Sequence, residues 1–173
     1  MNKRRTLAVA ALCAVAATGA YAAKKVGPFF ADLFPPSKGT YQQPAGALGD
    51  KPAQPWTATT LEAAVQNKPL AGKVETRTGE IIDYSCYLQL GKHGAKHRDC
   101  AQKCLKNGQP IGLLSQDGSI TLLMEEEHHP RRDGQTTFRD AAIEHAGEIL
   151  EVTGTASKVN GQKALYVQGF VRK

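Results

Sequence analysis

The chain contains no C-x-x-C pair, so nothing in it supports a thioredoxin-type active site. It has no C-x-x-C-H either, which excludes a covalently attached c-type haem on motif grounds. A Ser/His/Asp order, a phosphate-binding loop and a pair of carboxylates at a defining catalytic spacing are all missing. Positive charge is sparse for a nucleic-acid binder. The net charge is +6 over 173 residues, and it falls to 6 − 3 = +3 once Lys3, Arg4 and Arg5 leave with the segment described next. Nucleic acid is therefore not an expected partner. Weak attraction to an anionic membrane surface is the most this charge supports.

Residues 1–23 read as a signal peptide. Lys3, Arg4 and Arg5 form a basic start, Leu7 to Ala17 is an uncharged apolar run, and Ala20-Tyr21-Ala22 offers the small-x-small cleavage pattern. The alternative is a membrane anchor, but the uncharged run from Thr6 to Ala23 is 18 residues long, at the short limit for a spanning helix, and rich in Ala rather than Leu. The expected location is the periplasm or the exterior, with membrane contact only through an uncleaved signal segment.

Six of the nine prolines fall between Pro28 and Pro55, where apolar periodicity is absent. Residues 24–68 therefore read as a Pro-rich linker. It carries one apolar patch (Phe29, Phe30, Leu33 and Phe34) and a short helix from Thr60 to Gln66. The folded domain is expected over 69–173. Val74 to Tyr84 reads as a long strand, bent or bulged at Gly79. Residues 95–106 read as a helix stopped by Asn107-Gly108 and Pro110. Ile111–Ser115 and Ser119–Met124 are strands joined by an Asp117-Gly118 hairpin turn. Phe138–His145 reads as a second helix, and Glu148–Val159 and Lys163–Val171 as a hairpin across Asn160-Gly161. The fold class expected is mainly β: a five-stranded OB-like barrel with a helical insert after strand 1 and a second helix between strands 3 and 4. A small α+β sandwich is the competing architecture.

The sequence resembles a family of small exported bacterial OB-like proteins. The resemblance rests on Gly79-Glu-Ile-Ile-Asp83-Tyr-Ser-Cys86-Tyr87, on His97-x-x-Cys100-Ala-x-x-Cys104, on Gly108-x-Pro110-x-Gly112 and on the closing Gly-Thr hairpin. It covers residues 72–173 and brings no activity with it.

Three of the four cysteines and two of the five histidines lie between Cys86 and Cys104. Loss of Cys13 with the signal segment leaves three cysteines, and an odd number cannot all pair within one chain. On a helix, steps of three and four residues place His97, Cys100 and Cys104 within an arc of about 60°. Cys86 arrives from the end of the first strand. Cys86, His97, Cys100 and Cys104 are thus the candidate metal ligands, a closed set of three thiolates and one imidazole of the kind that holds structural zinc. Cu(I) or an iron–sulfur cluster also suits soft thiolates.

Two other readings stay open. One is a disulfide-stabilised interaction module without metal, with Cys86 joined to Cys100 or Cys104, binding an unknown protein partner. The other is a thiol-redox enzyme using Cys100 or Cys104. Lys92, Lys96, Arg98, Lys103 and Lys106 surround the cluster, and their field is expected to favour thiolate. His93 reads as a reserve ligand or a solvated loop residue. Asp83 reads as a second-shell partner for His97 or a strand-end turn residue. Glu125-Glu126-Glu127-His128-His129 is a second acidic and imidazole cluster that reads first as a solvated loop. His145 reads as a helix C-terminal cap. The functional expectation is an exported metal-binding protein with no assigned catalysis.

Overall fold

A run of alternating, β-branched residues from Val74 onward forms the first barrel strand, one of the two longest. The computed structural model describes residues 34–54, 56, 66, 68, 72–126 and 136–173. The expected signal peptide, the patch at Phe29–Leu33, most of the Thr60–Gln66 helix and residues 127–129 of the acidic cluster lie outside them. Residues 36–173 make one compact unit. Its elements in chain order are β1 (Ala47–Leu48), β2 (Lys73–Asp83), α1 (Tyr84–Leu90), a 3-10 turn (Ala95–His97), α2 (Arg98–Lys106), β3 (Ile111–Leu114), β4 (Ile120–Glu125), α3 (Thr137–Glu144), β5 (Ile149–Val159), β6 (Gln162–Val167) and β7 (Val171–Arg172).

The five long strands pair in the order β2-β3-β4-β6-β5, and β2 closes on β5. The β4–β6 pairing is parallel and the others are antiparallel. This is the OB-like barrel, with α1 and α2 inserted after its first strand and α3 between its third and fourth. Register places Ile81 opposite Leu113, Leu123 opposite Leu165, and Leu165 opposite Ala156. Side chains alternate across a strand, so these residues share the inner face. Together with Leu150 and Val152 they fill the barrel. Phe138, Ala141 and Ala142 of α3 and Ala101 and Leu105 of α2 join the same core. Thr136 starts α3 by accepting a hydrogen bond from the Arg139 N–H at 3.1 Å.

Both hairpin turns are where the sequence puts them. Gly118 has φ 81°, and Asn160 and Gly161 have φ 48° and 90°, the positive pair that an Asn-Gly turn requires. Gly79 is not bulged: the β2–β5 register runs through it without an extra residue. The next residue, Glu80, pairs with both Ile149 of β5 and Leu114 of β3. Strand β2 therefore changes partners at this point. A Cβ on Gly79 would come within 2.7 Å of Leu113 Cγ and 2.8 Å of the Leu114 carbonyl oxygen. The glycine serves a close crossing rather than an insertion.

The middle of the stretch expected to be linker packs on the barrel. Strand β6 pairs with β5 only from Thr155 onward, which leaves the Ile149–Gly154 edge open. Strand β1 covers that edge in parallel and is itself covered by β7. Leu48 is fully buried in the core. Backbone bonds from Ser37 to Gly147, Ala45 to Ile149 and Glu151 to Gly46 extend the contact. The physical reason is an unpaired strand edge, which a two-residue strand protects. The expected last strand, Lys163–Val171, correspondingly ends at Val167. Residues Val171–Arg172 form a separate strand that pairs with β1.

Candidate metal site

The site forms where β2 leaves the barrel. Asp83, the last residue of β2, is paired with Ile111 and almost fully buried. Its carboxylate accepts the Cys86 N–H at 3.1 Å and so caps α1. Gly91, at φ 64°, closes the helix by donating to the Tyr87 carbonyl at 2.8 Å. Cys86 is therefore in the first turn of a helix, not at a strand end. The chain then returns through Gly94, whose N–H is held by the buried Glu80 carboxylate. Its carbonyl accepts from His97 at 3.0 Å, which sets the 3-10 turn that feeds α2.

Helix α2 buries Ala101 and Leu105. At about 100° per residue, His97 lies about 60° from the middle of that buried stripe, Cys104 about 80° and Cys100 about 120°. Burial follows this order: His97 is buried, Cys104 half-buried and Cys100 exposed. One carboxylate oxygen of Asp83, the Cys86 sulfur and one ring nitrogen of His97 all lie within 4.8 Å of one another. The Cys104 thiol is near enough to Asp83 and Cys100 for both to act on its titration. All three described cysteines are free. His97 is 7% exposed, and its Nε2 has no hydrogen-bond partner among the described residues. An unsatisfied buried nitrogen costs about 1–3 kcal/mol, so its persistence here needs a reason. A bound metal ion would supply that partner. This buried Asp/Cys/His group has the donors and the spacing to hold one.

Electrostatics oppose the sequence-based expectation for the thiols. Burial, then the Asp83 charge, then Cys100 push the Cys86 thiol above its usual range, and Lys92 offsets only part of this. Burial and the hydrogen bond to Asp83 push Cys104 up to about 11. The lysine field is outweighed because the nearest charge is a carboxylate. Arg98 also turns away from the cluster, to Glu148 at 3.3 Å and to the Glu144 carbonyl at 2.7 Å. Burial lowers the His97 pKa despite Asp83, which leaves the ring neutral at pH 7. A metal-free site thus holds two protonated thiols and a neutral imidazole.

Of the sequence-based ligands, the structure brings Cys86 and His97 together within metal-binding distance, and Cys100 and Cys104 lie outside that group. Asp83 enters the group itself rather than acting only behind His97. Its signal was the Asp83-x-x-Cys86 spacing, an N-cap followed by its third helical residue. His93 bonds to the Glu80 carboxylate at 2.9 Å and meets Tyr87 edge-on, with ring centroids 5.7 Å apart. It belongs to the support of the Gly94 loop. His145 follows α3 as its cap residue, and its ring Nδ1 bonds to Glu148 at 2.7 Å. Glu125 pairs with Arg139, so the described start of the acidic cluster is held in an ion pair.

The chain finds no match among protein-family models, curated proteins or solved structures. Among the described residues, no helix is long and apolar enough to cross a membrane.

Proposed function

We propose that this is an exported metal-binding protein whose ion clamps the helical insert onto the barrel. Asp83, Cys86, His97 and Cys104 serve as ligands. The observation that carries this reading is the buried, unpartnered His97 Nε2 in a group with Asp83 and Cys86. One carboxylate, one imidazole and two thiolates make a closed borderline set, for which zinc is the natural occupant. Helix α1 contains no buried residue. Little apolar burial therefore holds it, and coordination through Cys86 supplies a tie that packing does not. The insert also occupies the loop between the first two barrel strands, one of the loops that OB-type barrels use for binding. Export rests on the N-terminal sequence pattern alone. A thiol enzyme is disfavoured by the raised pKa values of Cys86 and Cys104, because the thiolate is the nucleophile.

The test is thermal unfolding of the reduced, zinc-loaded full chain with and without a strong chelator. Binding to the folded state alone stabilises it, so chelation lowers Tm clearly. Cys86→Ser and His97→Ala remove the effect. A melting curve that ignores both chelator and added zinc contradicts the proposal.

A further inference from the structure

We propose that Cys86 and Cys100 form a disulfide that expels the metal, so that the clamp opens on oxidation. This inference rests on the metal reading above. It joins two readings that the sequence keeps apart, a metal site and a disulfide, as two states of one place.

Cys100 is the exposed thiol of the three. It stands three residues beyond His97, on the same side of α2, and the Cys86 sulfur lies within 4.8 Å of a His97 ring nitrogen. Cys100 is close enough to both Cys86 and Cys104 to raise the pKa of each. Cys104 is a poor disulfide partner for it. Both lie on α2 one turn apart, where Cβ vectors run nearly parallel. Cys86 is on α1, a separate short helix with no buried side chain to hold it back. Of the two helices that a Cys86–Cys100 bond would join, α1 buries no residue and α2 is anchored by Ala101 and Leu105, so α1 is the freer to move.

The chemistry balances with a peroxide as oxidant. Hydrogen peroxide transfers one oxygen to the accessible Cys100 thiol, giving a sulfenic acid and one water. The Cys86 sulfur then attacks the Cys100 sulfur. The S–O bond breaks, and the hydroxide leaves with a proton as a second water. The Cys100 thiol and the Cys86 thiolate together lose two electrons and one proton, water supplies the second proton, and one peroxide becomes two waters. The ion loses Cys86, and one carboxylate, one imidazole and one thiolate remain. A three-ligand site is open rather than closed, which favours release.

The experiment treats the reduced, zinc-loaded full chain with hydrogen peroxide. It follows released zinc with a chromophoric chelator and maps the peptides by mass spectrometry. The expected result is a Cys86–Cys100 linked peptide that appears together with the released zinc, and recovery of zinc binding after a thiol reductant. Cys100→Ser and Cys100→Ala should each slow peroxide-driven release by about tenfold or more, because the exposed sulfur that starts the sequence is gone. Zinc release without the Cys86–Cys100 peptide overturns the proposal and leaves the metal site standing. So does a Cys100–Cys104 link, or unchanged release rates in both variants. A reduced chain that binds no zinc overturns the metal reading and this inference together. Peptide mapping of that metal-free chain then shows whether the disulfide forms by itself.

Discussion

Metal affinity should rise about 100-fold for each unit of pH between about 7 and 8.5. The perturbation is pH, and the magnitude comes from the protonation state of the free site. Cys86 and Cys104 are held as thiols by burial and by Asp83, with Cys104 at about 11. Both must lose a proton to bind. His97 is already neutral, because burial lowers its pKa, so it releases none. Two protons leave per ion, and each contributes a factor of ten per pH unit, together about 2.7 kcal/mol per unit. The assay is competition for zinc against a chromophoric chelator of known protonation behaviour, repeated across this range. A slope of two protons fits the ligand set Asp83, Cys86, His97 and Cys104. A slope of three means that Cys100 also coordinates. A slope of one or zero refutes the two-thiolate site.

Three further outcomes follow. Asp83→Asn keeps an acceptor for the Cys86 N–H but removes the negative charge, so zinc affinity should fall by about 10–100-fold while the metal-free melting temperature changes little. An unchanged affinity in the chelator competition would take Asp83 out of the site. Leu48→Ala should cost about 2–5 kcal/mol in chemical denaturation, since Leu48 is fully buried where β1 covers the open edge of β5. A cost below about 0.5 kcal/mol, the range of surface substitutions, would return residues 36–50 to the status of a linker. Stability of the chelator-treated protein should fall at both ends of the pH range. Burial depresses His97 from 6.5, so the unfolded chain takes up the proton first and stability drops as pH falls below 6.5. Cys104 is raised from 9.0 to about 11, so its contribution is intact below pH 9 and is lost as pH climbs towards 11. Denaturation midpoints that stay level from pH 5 to 11 would contradict both assignments.

The barrel was legible because its turn and strand signals are local. Asp117-Gly118 and Asn160-Gly161 carry their own backbone preference, and the apolar alternation on either side fixes the register. Helix α2 with Cys100 and Cys104 was legible for the same reason, although its expected first turn, with His97, is a 3-10 turn. Helix α1 was not. Seven residues with none buried leave no periodic stripe to read, and its ends are set by the Asp83 cap and the Gly91 stop alone. The role of Ala47–Leu48 was hidden because it depends on an edge created by the unequal lengths of β5 and β6, more than 100 residues away. The thiol pKa directions were missed for a related reason. Lysines count equally in a sequence, but the buried Asp83 touches the thiols and the lysines face outward.

The most direct test of the central claim is native mass spectrometry of the reduced full chain after exposure to zinc and removal of excess ion. The account predicts one dominant species carrying a single zinc, with two protons lost in its place, and no such species for Cys86→Ser. A chain that retains no zinc, or binds it equally well without Cys86, would contradict it.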